Sequence, residues 1–131
     1  MDAMTRPFPG AGAGRPGRGR TRQRQDGMNK TEARFASEVL TPLLHAGTIT
    51  RWDYQPERLV LAKNTQYTPD FRVLLANGIV RFYEVKGFWE DDARVKLKLV
   101  AELHPYEFVA VRWGKPPTGG PAQWMYEPVA P

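Results

Sequence analysis

Asp70, Glu84 and Lys86 are the residues of this chain whose types and spacing best support chemistry. Asp70 follows Pro69, while Glu84 and Lys86 flank Val85 and precede Gly87. The two acids lie on short stretches that read as β-strands joined by an Asn-Gly turn. Two carboxylates can hold a hard divalent cation. A lysine beside that cation can position a water or help to deprotonate it. The set points to metal-dependent hydrolysis, with a phosphodiester as the substrate that fits best.

Strand geometry turns this grouping into a testable register. Glu84 and Lys86 are two residues apart, so on a strand they project from one face. Asp70 shares that face only if it sits opposite Glu84 across the antiparallel pair. A two-residue loop, Asn77-Gly78, would set Asp70 against Val85 and separate the carboxylates. A three-residue loop, Ala76-Asn77-Gly78, pairs Leu75 with Ile79, Phe71 with Tyr83 and Asp70 with Glu84. Such loops close through a residue in the left-handed conformation, which glycine adopts without strain. The three-residue loop with Gly78 left-handed is therefore expected.

The elements that must position these residues follow from periodicity. From Asn29 the pattern is helical: Glu32, Phe35, Ala36, Val39, Leu40, Leu43 and Leu44 recur at spacings of three and four. Glu32 lies on the same stripe as Phe35 and Ala36 and so points toward the sheet. There it either completes a metal shell or forms a capping box with Asn29, and the two roles compete for one side chain. Pro42 is expected to kink or interrupt this helix near Thr41, and Gly47 to stop it.

Strands are expected over 51–62, with Pro56 marking an interruption or edge, and over 69–75 and 79–86. Glu90, Asp91 and Asp92 open a second helix at its positive dipole end. Its apolar stripe reads Val95, Leu99 and Leu103, with Val100 nearby, and Pro105 ends it. Residues 106–113 read as a strand, and 123–127 as one more short strand. This order predicts an α/β fold, bordering on α+β, with a central mixed sheet flanked by helices.

Composition bounds the rest. The chain has 131 residues, enough for one core. Residues 1–28 are rich in Gly, Pro and Arg and read as a disordered basic arm. The core is expected over 29–115, followed by a Pro/Gly-rich tail over 116–131. Seven basic and two acidic residues lie in 1–30, against twelve of each in 31–131, so the net charge of +5 belongs to the arm. Such an arm can neutralise phosphates. With no cysteine, disulfides and zinc–thiolate sites are excluded. His45 and His104 share no metal-ligand spacing. No apolar run spans a bilayer and no secretory h-region is evident, so a cytoplasmic protein without a membrane partner is expected. Lys30, Arg34, Arg72, Arg94, Lys96 and Lys98 could line a path for DNA, and Trp89 could stack on an unpaired base.

Tyr67-Thr-Pro-Asp-Phe71, Asn77-Gly-Ile79, Glu84-Val-Lys-Gly-Phe-Trp89, Asp91-Asp92, Lys96 and His104-Pro105 resemble the bacteriophage endonuclease I group. These are Holliday-junction resolvases of the PD-(D/E)xK nuclease superfamily. The likeness runs from about Lys30 to Trp113 and is densest from Tyr67 to Asp92. It implies a restriction-endonuclease-like core. It also implies that Asp70, Glu84 and the Val85 carbonyl bind Mg²⁺ or Mn²⁺, that Lys86 orients the water, and that Glu32 is the superfamily's helical glutamate. A metal-dependent DNA endonuclease, with branched DNA as one substrate and a homodimer as one assembly, is the resulting expectation. The hairpin arms here are longer than in that group, the basic region after the hairpin is thinner, and the group's long swapped dimer interface is not evident. The competing reading is a non-enzymatic nucleic-acid-binding phage accessory protein on a nuclease-like fold.

Overall fold

The computed structural model describes residues 27–86 and 91–130. The expected disordered arm falls almost wholly on residues 1–26, which lie outside the described residues, as do Gly87, Phe88, Trp89 and Glu90.

The first helical run begins as α1 (Lys30–Phe35), passes through a π-helical turn (Ala36–Leu40) and continues as α2 (Thr41–Ala46). Asn29 caps it: its side-chain oxygen accepts from the Glu32 N–H at 2.8 Å, and Glu32 Oε1 accepts from the Asn29 N–H at 2.9 Å. The helix does not break at Pro42. Proline removes one N–H and crowds the carbonyl four residues back. The preceding turn widens instead, and the Thr41 N–H bonds to the Ala36 carbonyl five residues away. Gly47 ends the run in the left-handed conformation, φ 81°.

Five strands form a mixed sheet: β1 (Ile49–Tyr54), β4 (Phe71–Leu75), β5 (Val80–Lys86), β6 (Glu107–Gly114) and β7 (Gln123–Pro128), in the spatial order β1-β4-β5-β6-β7. The β5–β6 pair is parallel and the other pairs are antiparallel. The parallel connection is made through α3 (Asp91–Leu103). The expected strand over 51–62 divides at Pro56. Its first part is β1; its second is β2 (Leu59–Ala62), which pairs with β3 (Thr65–Tyr67) in a separate two-stranded hairpin. The short strand expected near 123–127 is β7, paired to β6 from Val109–Pro128 to Gly114–Gln123.

The helices cover opposite faces of the sheet. Phe35, Ala36 and Leu40 pack against Phe71, Val73, Tyr83, Val85, Val109 and Val111. Leu97, Val100 and Ala101 of α3, with Leu59, Leu61 and Tyr67 of the small hairpin, pack against Phe82, Phe108 and Ala110. Successive strand residues thus alternate between the two cores, as a pleat requires. Burying each large side chain such as Phe35, Phe71 or Phe82 contributes about 1.5–3 kcal/mol.

The apolar stripe expected on α3 is corrected by the structure. Val95, Leu99 and Leu103 are 67%, 39% and 50% exposed, whereas Leu97, Val100 and Ala101 are buried. Both sets recur at helical spacing. The set that lies on Phe82, Phe108 and the β2–β3 hairpin is the one that can exclude water.

Candidate active site

The site begins with the hairpin register. Phe71 pairs with Tyr83, Arg72 with Phe82, Val73 with Arg81 and Leu74 with Val80. The Leu75 N–H bonds to the Ile79 carbonyl and the Gly78 N–H to the Leu75 carbonyl, each at 2.9 Å. Gly78 is left-handed, φ 93°. Asn77 Oδ1 accepts from the Ile79 N–H at 3.0 Å, which tightens the loop. The loop is therefore Ala76-Asn77-Gly78, and the next position beyond the Phe71–Tyr83 pair sets Asp70 against Glu84. Asp70 lies just outside β4, with its Oδ2 accepting from the Val85 N–H at 2.8 Å. The first acid is thus tied to the backbone between the second acid and the lysine.

Three carboxyl groups converge here. Glu32, Asp70 and Glu84 are 7%, 6% and 7% exposed. Glu84 sits on the face of β5 that carries Phe82 and meets α3. Its Oε1 accepts from the Tyr67 hydroxyl, and its Oε2 is 3.3 Å from Lys86 Nζ. Glu32, in the α1 layer, is near enough for its charge to raise the Asp70 carboxyl. Glu32 Oε1 meanwhile accepts from the Tyr54 hydroxyl at 2.8 Å as well as from the Asn29 N–H. Of the two roles set against each other for Glu32, the capping box is the one formed: Glu32 Oε1 accepts from the Asn29 N–H, and Glu32 is not among the residues lining the cleft.

Electrostatics follow from this crowding. Burial pushes the Asp70 carboxyl up to about 8; the neighbouring Glu84 charge adds to the rise and the Val85 N–H opposes it. Burial also raises Glu84, while the Tyr67 hydroxyl and the Lys86 ammonium hold it back toward the charged form. The phenols of Tyr67 and Tyr54 are raised, first by burial and then by the adjacent carboxylates. As donors to carboxylates they stay protonated.

A cleft of about 320 Å³ opens onto the site, lined by Tyr67, Thr68, Asp70, Glu84, Lys86, Ala93, Lys96 and Leu97. Among the described residues, no three or more His, Cys, Asp or Glu side chains form a ready metal cage. The donor set at the cleft is two carboxylates, which repel one another under burial and have one ammonium to offset them. Two carboxyl oxygen donors that resist ionising together without a cation between them suit a hard divalent ion completed by waters, as Mg²⁺ prefers.

The six basic residues expected along a nucleic-acid path are dispersed. Lys96 lines the cleft. Lys30 is exposed at the start of α1. Lys98 and Arg94 line a separate pocket between α3 and β6–β7, where Arg94 is 2.7 Å from Glu127. Arg72 pairs with Asp53 at 3.0 Å and also with Glu57. Arg34 pairs with Glu38 at 2.9 Å and stacks 4.0 Å from the Trp113 ring centroid. Trp89 lies outside the described residues. Sequence reasoning does not single out Tyr67 or Tyr54 as site residues. Tyr67 belongs to the Tyr-Thr-Pro-Asp run, but periodicity assigns no contact between it and a residue seventeen positions on.

Fold and site together define a mixed-sheet domain of the nuclease-like α/β class, with an acid–acid–lysine set on its central hairpin. Comparison with known proteins gives a resemblance to the phage endonuclease I group. The chain is 53% identical to Endonuclease I of Escherichia phage T7 over 47 residues, 36% of this chain and 29% of that protein. It is 43% identical to Endodeoxyribonuclease 1 of Enterobacteria phage T3 over 58 residues, 42% of this chain and 36% of that protein. The chain thus spans about a third of the length of these curated relatives. No family model matches it, and no solved structure matches it.

Proposed function

We propose that this protein is a metal-dependent endonuclease that hydrolyses DNA phosphodiester bonds, with branched DNA, including four-way junctions, among its substrates. The observation that carries the reading is that Asp70, Glu84 and Lys86 line one open cleft, with the Asp70 carboxyl on the Val85 N–H and Lys86 3.3 Å from Glu84. The partial identity to two phage proteins named as DNA endonucleases supports it.

In this reading Asp70, Glu84 and the Val85 carbonyl hold Mg²⁺, for which Mn²⁺ can substitute. Such an ion supplies Lewis-acid activation of a water and charge stabilisation in the in-line transition state. The Val85 N–H keeps Asp70 oriented. The Lys86 ammonium, partly exposed at the cleft, donates to the attacking water or to a phosphate oxygen. Glu32, held by Asn29 and Tyr54, takes the role of the superfamily's helical glutamate near Asp70. Lys96, on the cleft wall, attracts the phosphodiester.

The test incubates the protein with branched, single-stranded and duplex DNA in Mg²⁺ and in EDTA. Cleavage is expected in Mg²⁺ and not in EDTA. Asp70→Ala and Glu84→Ala should each abolish cleavage while leaving DNA binding, read by gel shift. Full activity in either variant overturns the reading, and binding without cleavage in every metal favours a non-enzymatic accessory role.

A further inference from the structure

Tyr67 closes β3, three residues before Asp70. The β2–β3 hairpin that carries it is not part of the main sheet. That hairpin is held against the sheet by Leu59 and Leu61, which pack with Phe82, Leu97 and Tyr67 itself. The Tyr67 ring is buried, and its hydroxyl donates to Glu84 Oε1. On the other side of the same carboxylate, Lys86 Nζ lies 3.3 Å from Oε2. Each oxygen of Glu84 is therefore held by one donor, and an ionised carboxylate keeps further lone pairs for a second contact. Lys86 is itself 41% exposed on a flexible stem, so it is the looser of the two holds. Tyr67 has two side-chain torsions and a ring packed into the core, which makes its hydroxyl a fixed point.

We propose that Tyr67 is a positioning residue for cation binding: the β2–β3 hairpin serves to deliver its hydroxyl to Glu84 and so fixes the carboxylate in the orientation that a divalent cation shared with Asp70 requires. The inference rests on the proposed metal-dependent reading of the site and adds a residue to it. Losing such a hydrogen bond to a ligating group typically weakens metal affinity by roughly 10–100-fold. Removing only the hydroxyl leaves the apolar packing of the ring against Leu59, Phe82 and Leu97 in place.

The experiment compares wild type with Tyr67→Phe. Mn²⁺ binding is measured by calorimetry in the absence of DNA, and cleavage is measured as a function of Mg²⁺ concentration. The expected result is Mn²⁺ affinity roughly tenfold or more weaker, with the Mg²⁺ activation midpoint moved up by a similar factor and the maximal rate recovered at saturating Mg²⁺. A merely structural role would lower the melting temperature and leave the cation affinity of the folded fraction unchanged; that result overturns the proposal. Wild-type protein that neither binds Mn²⁺ nor cleaves DNA overturns the proposed function and this inference together. Wild type that does both, with Tyr67→Phe equal to it, overturns the positioning role alone. Should the variant fail to fold, ¹³C-tyrosine NMR of the wild type keeps the test. The Tyr67 ring resonance should move on Mg²⁺ addition, with the midpoint read by calorimetry, and an unmoved resonance overturns the role.

Discussion

Asp70 and Glu84 show how two acids of ordinary chemistry become unlike one another through their donors. Glu84 has a phenol and an ammonium, and Asp70 has one backbone N–H. Burial raises both, and Asp70 reaches about 8. A carboxyl raised from 3.8 in the unfolded chain stabilises the fold fully below 3.8, and that contribution is lost as pH rises through the folded value. In EDTA, the stability of wild type relative to Asp70→Asn should therefore fall between about pH 4 and pH 8, by as much as a few kcal/mol. Asparagine keeps an acceptor for the Val85 N–H and removes the charge. Adding Mg²⁺ should flatten the wild-type curve and leave the variant's unchanged. Thermal melts across that range check both, and a wild-type advantage that grows with pH would contradict the electrostatic account.

At the scale of elements, the hairpin loop holds the site together. Side chains alternate with a period of two, so a shift of one residue moves a whole strand face. Deleting Arg81 shortens β5 by one residue beyond an unchanged loop and sets Asp70 against Val85, and cleavage and Mn²⁺ binding should both disappear even where the protein still folds. Gly78→Ala is the milder perturbation: φ 93° strains any L side chain, at a cost of about 1 kcal/mol, with the register kept and activity retained. The face of α3 gives a second check. Leu97→Ala opens the core against Phe82 and Phe108 and should cost about 2–5 kcal/mol. Val95→Ala, on the solvent side, should change stability by less than about 0.5 kcal/mol. Denaturant melts distinguish the two, and the opposite order would restore the stripe that periodicity alone suggests.

For the whole molecule, charge and fold are separable. Residues 1–27 carry +4 of the chain's net +5 and Lys30 the remainder, while residues 31–131 balance. Arg34, Arg72 and Arg94 of the folded body are already engaged with Glu38, with Asp53 and Glu57, and with Glu127. Non-specific DNA affinity should accordingly come mainly from the arm. Removing residues 1–27 is expected to reduce the slope of log K against log salt by several units, at about 0.9 for each phosphate no longer neutralised, with Mn²⁺ binding intact. An unchanged slope would assign that affinity to the folded body. Among the described residues no helix is long and apolar enough to cross a membrane.

What the amino-acid sequence by itself determined is local. The Asn29–Glu32 capping box, the stop at Gly47 and the parity of Asp70 with Glu84 each depend on spacings within one element or one loop, and backbone geometry admits few solutions there. The tertiary structure alone decided which of two helical stripes on α3 meets the sheet, because both satisfy the same period and only the opposing surface differs. It also decided that Pro42 is absorbed by a π-helical turn, and that Pro56 sends β2 into a separate hairpin. Above all it brought Tyr67 to Glu84 and Tyr54 to Glu32, pairings across seventeen and twenty-two residues. No periodicity encodes such pairings, since they depend on how separate layers pack. The acids and the lysine were legible in the sequence; the phenols that hold the acids in place were not.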